Sequence, residues 1–162
     1  MSHTQSLSLL PRTLDSVPFI ELRQSLASQV SAISPFVDQL MRFILILRKS
    51  DGSETEIEIA LREALANAVI HGNAQDPHKR VYVECRCYMD GEVSITVRDD
   101  GQGFKSEDVA NPTTPENLLF TQGRGIYLMK ALMDEVSFED GGSAVRMRKY
   151  SNAGATAQRR SG

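Results

Sequence analysis

Hydrophobic positions along the chain alternate between two periods, and the switches mark its elements. Phe36, Leu40, Phe43, Ile44 and Leu47 recur at helical spacing behind Pro35, whose missing N–H is not needed in a first turn. Ile57, Leu61, Ala64, Leu65 and Ala68 form a second stripe, which predicts a helix from Ser53 to about His71. Ser53 with Glu56 has the capping-box pattern at its start, Glu54, Glu56 and Glu58 suit the helix dipole there, and Gly72 is the expected stop. The period then shortens to two. Arg80–Met89 carries Val81, Val83, Cys85 and Cys87 on one face, Asp90-Gly91 is a hairpin turn, and Glu92–Asp99 returns with Val93, Ile95 and Val97 inward. Gly125–Asp134 reads as a further helix. Residues 136–138 and 144–149 read as a final hairpin around Asp140-Gly141-Gly142.

Residues 19–33 fit both periods: Leu22, Leu26, Val30 and Ile33 suit a helix, whereas Leu26, Ser28, Val30 and Ala32 alternate as in a strand, the reading favoured here. Residues 1–18 read as a loose N-terminal segment, 19–150 as one domain, and 151–162 as a polar, disordered tail. Residues 100–122, rich in Gly, Pro, Asn and Thr, form a connection of the length that functional lids have. The implied fold class is α+β, a two-layer α/β sandwich with helices on one face of a mixed, largely antiparallel sheet.

Composition narrows the setting. A hydrophobic fraction of 41% over 162 residues supplies one core, and a net charge of −3 argues against a nucleic-acid surface. No apolar run approaches the roughly 20 residues of a membrane span, and the N-terminus lacks the basic and apolar regions of a secretory signal, so a cytoplasmic location is expected. Cys85 and Cys87, with no further Cys or His cluster, read as reduced half-buried thiols rather than a zinc site.

Three short motifs carry candidate chemistry. On the second helix Glu63 and Asn67 share a face: an amide oxygen can ligate Mg²⁺ and a neighbouring carboxylate can take a proton from an attacking hydroxyl. His71, one further step along, could belong to the same pocket, but a packing or capping role at a helix end is the favoured reading. After the return strand comes Asp99-Asp100-Gly101-Gln102-Gly103, which is either a plain loop or an acid aimed at a ligand amino group beside glycines that let the backbone approach. Gly123-Arg124-Gly125 precedes a helix, where free N–H groups bind phosphate; a flexible helix entry is the alternative.

In this order the motifs resemble the Bergerat-fold ATP-binding domain of histidine kinases and gyrase: Glu63-xxx-Asn67 as the N-box, Asp99-x-Gly101-x-Gly103 and Gly123-x-Gly125 as the glycine boxes. The stretches Glu63–Gly72 and Gly125–Val136 look like the bacterial anti-sigma-factor serine kinases, a resemblance spanning about residues 20–150. That resemblance implies ATP and Mg²⁺ as cofactors, with Glu63 as general base, Asn67 on the metal and Asp99, rather than Asp100, on the adenine amino group. Gly101 and Gly103 would shape the adenine side, Gly123, Arg124 and Gly125 would lie by the phosphates, and Ser143 would stand where relatives carry a Thr. One departure is Thr121, where relatives place an Arg near the γ-phosphate; Arg124 is the candidate substitute.

The expected activity is phosphorylation of a serine on an anti-anti-sigma (STAS-domain) partner, with or without sequestration of a sigma factor. A nucleotide-dependent binding module without phosphotransfer is the alternative. A histidine sensor kinase fits less well, because the only earlier histidine, His3, has no helical pattern around it. Neither nucleic acid nor membrane is an expected partner. The family often dimerises, and the strand near residues 22–32 offers an edge for a homodimer.

Overall fold

The computed structural model describes residues 6–8, 17–103 and 121–152, with backbone alone at 6–8, 121 and 122. Six strands form one sheet in the order β1-β2-β3-β4-β6-β5: β1 Ser6–Ser8, β2 Phe19–Ala27, β3 Arg80–Tyr88, β4 Val93–Asp99, β5 Glu135–Glu139 and β6 Ala144–Lys149. Helices α1 (Ile33–Leu47), α2 (Glu54–Ala66) and α3 (Thr121–Leu132) complete an α+β sandwich. Every pairing among the described residues is antiparallel, so the expected mixed character is absent there. Ser6–Ser8 pairs with Glu21–Arg23, giving a short strand inside the stretch expected to be loose.

The register explains the core. Leu22, Cys85, Ile95, Met147 and Val136 face one another across five strands, so one row of apolar side chains crosses the sheet beneath the helices. The next row is Gln24, Val83, Val97, Val145 and Phe138. Cys85 and Cys87 are free, buried thiols on this face, and their mutual contact, more than burial, raises the Cys85 pKa well above its usual value. Because side chains alternate, Val93, Ile95 and Val97 predict that Asp99 also points to the helix side, and Asp100 away from it.

β2 settles the ambiguous 19–33 stretch as a strand followed by a single 3₁₀ turn, Val30–Ala32. With α1 that turn makes an 18-residue helix, Val30–Leu47, of mean hydropathy 1.5, long and apolar enough by composition to span a bilayer. This corrects the expectation that no such run exists. In the fold it buries Ile33, Phe36, Val37, Leu40, Met41 and Ile44 against the core.

The start of α2 departs from the expected capping box. Ser53 makes no side-chain cap. Its hydroxyl instead donates to Asp51 (2.6 Å) and accepts from Arg48 (2.7 Å). Arg48 is 5% exposed and also donates to the Gly91 carbonyl (2.7 Å), Asp51 (2.7 Å) and the Tyr150 carbonyl (3.2 Å). One guanidinium thus ties the end of α1 to the start of α2, the β3–β4 hairpin and the end of β6. A buried charge demands such partners.

Candidate functional site

The end of α2 is remodelled from Asn67 onward. From Asn67 to Gly72 the helix widens to a π-turn, and the Asn73 N–H bonds the Ala68 carbonyl (2.8 Å). Such turns insert extra width into a helix and cluster at functional sites. Gly72 does not adopt the left-handed stop expected of it; positive φ falls instead on Ala74 (52°) and Gln75 (57°). Gly72 is glycine for a different reason: a Cβ there would overlap the Asp99 carboxylate.

Beside this turn lies a cavity of about 580 Å³. Asn67, His71 and Gly72 line it from α2 and its π-turn, Asp99 and Gly103 from the end of β4, Met129 from α3, and Ser143 from the start of β6. Ala64, Ala68, Val97, Phe138 and Val145 supply apolar wall, a composition suited to a flat apolar ligand with a few polar anchors. Asp99 is fixed by two bonds: its N–H donates to the Ser143 carbonyl (2.9 Å), and its carboxylate accepts from the Gly101 N–H (2.8 Å). Burial raises its pKa, the Gly101 N–H opposes the rise, the neighbouring Asp100 adds to it and Lys79 pulls against it. Gly103 has φ +76°, and a Cβ there would run into the Gly141 carbonyl, so this glycine lets the loop lie against the β5–β6 turn.

Glu63 stands next to the cavity. Its Oε2 lies 2.6 Å from where a Cβ on Gly125 would sit, and both amide atoms of Asn67 lie 3.5 Å from it. Gly125 therefore lets α3 approach the Glu63–Asn67 face closely. The expected boundary of α3 needs correction: the helix starts at Thr121, so Gly123 and Gly125 lie within it, buried, rather than before it. Arg124 is exposed and does not line the cavity. Of the lid expected over residues 100–122, residues 104–120 lie outside the described residues, as does the Thr121 side chain, and 121 and 122 begin α3 instead. No cluster of three or more His, Cys, Asp or Glu that could hold a metal occurs among the described residues.

A sequence profile of the histidine kinase-like ATPase domain matches residues 24–149. This chain belongs to that family. The ATPase domain is 33% identical over 132 residues to a protein named anti-sigma F factor from Oceanobacillus iheyensis, covering 78% of this chain and 80% of that relative. It is also 33% identical over 135 residues to an anti-sigma F factor from Heyndrickxia coagulans, covering 79% and 81%. A blue-light activated histidine kinase from Erythrobacter litoralis EL346 superimposes with a TM-score of 0.48 at 15% identity, covering 76% of this chain and 43% of that one.

Within this ATPase domain, Asn67, Asp99, Gly103 and Ser143 share one cavity; Glu63 and Gly125 are not in its lining but meet beside Asn67, which is. Gly101 backs onto the Gly72 carbonyl and Asp99, while Gly123 and Arg124 are off the wall. Sequence reasoning missed Lys79 and Gly72; for His71 it favoured packing or capping over the pocket, and His71 lines the cavity. It also missed Asn73, which is fully buried. The signal for His71 was its shared face with Glu63 and Asn67; nothing in the spacing marked Lys79.

Proposed function

We propose that the chain binds ATP with Mg²⁺ and transfers the γ-phosphoryl group to a serine of an anti-anti-sigma (STAS-type) protein. In the same reading it can hold a sigma factor. The observation that carries this is the closeness of Gly125 to the Glu63–Asn67 pair, at the edge of a cavity whose wall also contains Asp99. The relatives' name, anti-sigma F factor, supports the partner class. Asp99 would accept from the adenine amino group, with the apolar wall against the ring. A lone amide oxygen with a carboxylate nearby suits Mg²⁺, which keeps waters and takes its other ligands from phosphates. Asn67 would hold that ion, which would neutralise phosphate charge when bound. Glu63 would accept the serine hydroxyl proton as the oxygen attacks phosphorus, and ADP would leave.

A second reading is supported by the position of Arg124. It is exposed and off the cavity wall, which weighs against it as the substitute for the Arg that relatives place at position 121. On this alternative the chain is a nucleotide-dependent clamp. Glu63→Ala separates the two. If regulation of the sigma factor is lost while ATP still binds, catalysis carries the function; if regulation persists, the clamp does.

A further inference from the structure

We infer that Gly72 and Asn73 are positioning residues for Asp99 and set the chain's preference for adenine over other purines. The inference rests on the base-reading role proposed for Asp99. Three residues form a closed ring of hydrogen bonds around the end of β4. The Asp100 N–H donates to Asn73 Oδ1 (2.8 Å), Asn73 Nδ2 donates to the Arg80 carbonyl (2.9 Å), and the Arg80 N–H donates to Asp100 Oδ2 (2.9 Å). The partners fix the amide orientation, since only oxygen can accept from an N–H and only nitrogen can donate to a carbonyl. Asn73 is 0% exposed, and its own backbone is used as well: its N–H bonds Ala68 and its carbonyl accepts from Asp76 (3.0 Å).

This ring joins the end of the π-turn, the start of β3 and the end of β4. It engages Asp100, and so fixes the backbone directly after Asp99. Gly72 acts from the other side. Its missing side chain is the space that the Asp99 carboxylate occupies, and its carbonyl backs onto Gly101. Neither residue needs to touch a ligand through its side chain to do this. Together they hold one carboxylate at one place and angle, which a single hydrogen bond to a purine amino group requires. Guanine presents a carbonyl at that position, so a well-placed carboxylate rejects it as well as accepting adenine.

The test is the ratio of ATP to GTP affinity, measured by calorimetric titration on the full chain with Mg²⁺ present. Both nucleotides see the same folded fraction, so the ratio is unaffected if a variant is partly unfolded. Asn73→Ala and Gly72→Ala are each expected to lower the ratio about tenfold or more, the scale of a displaced hydrogen bond to a charged group. A ratio unchanged in both variants, whatever happens to their melting temperatures, overturns the positioning role. Asp99→Ala is the control. If it abolishes the preference while Asn73→Ala and Gly72→Ala keep it, this inference alone fails. If Asp99→Ala itself leaves the ratio unchanged, the base-reading assignment fails and this inference with it.

Discussion

Gly125→Ala is expected to make the protein more stable and less active. Gly125 lies inside α3, where glycine costs about 1 kcal/mol relative to alanine. The added methyl would meet Glu63 Oε2 at 2.6 Å and the Asn67 amide at 3.5 Å. The Asn67 contact is ordinary. The Glu63 contact is not, but that atom is the far end of a flexible, half-buried side chain, which can rotate away at small cost. The helix term therefore wins, and the melting temperature should rise by about 2–4 °C for a domain of this size. The same rotation moves the carboxylate by roughly 1 Å, a displacement that can cost about 10²-fold in rate at a catalytic group. Thermal denaturation followed by circular dichroism gives the first quantity, and phosphotransfer with saturating ATP the second. A destabilised variant refutes the premise that Glu63 rotates away at small cost, and one that keeps full activity refutes the reasoning that the space at Gly125 positions Glu63.

Three further outcomes follow from the geometry. Arg48→Ala removes the common partner of Gly91, Ser53, Asp51 and Tyr150 and should cost about 3–5 kcal/mol in urea unfolding, as breaking a buried ion pair does. Although burial opposes it, hydrogen bonds from Ser53 and Asn152 and the charge of Arg48 hold Asp51 below its usual 3.8; its contribution is therefore complete above that pH and lost as pH falls through the lower folded value, and Asp51→Asn should flatten that limb of the stability curve. Asp99 has the opposite sign: with its folded pKa raised above 3.8 by burial, stability should fall and ATP affinity should rise as pH climbs through the window just above 3.8, and both trends should vanish in Asp99→Ala.

The sheet and helices were legible because their periods are clean. The β3–β4 hairpin is marked by alternating Val and Cys around Asp90-Gly91, and α1 and α2 by their apolar stripes. Even the choice of Asp99 over Asp100 was available from parity, since Val93, Ile95 and Val97 already fix which face residue 99 joins. What was not legible depended on contacts distant in sequence. Gly72 is a helix stop by local rules, yet it is glycine because Asp99, 27 positions on, packs against it. Ser53 satisfies the capping-box pattern, yet Arg48 and Asp51 claim its hydroxyl. Asn73 looks like an ordinary loop residue until β3 and β4 close around it. The π-turn leaves no mark in hydrophobic spacing because it adds width to a helix without breaking its apolar stripe.

In the proposed function, Glu63 removes the proton from a partner serine as ATP donates its γ-phosphoryl group. The direct measurement incubates the chain with γ-labelled ATP and its STAS-type partner, comparing wild type with Glu63→Gln. The prediction is label on a partner serine with wild type, and a rate lower by about 10²–10⁴-fold in Glu63→Gln at unchanged ATP affinity. No label despite a confirmed complex with the partner, or equal labelling by the variant, would contradict it.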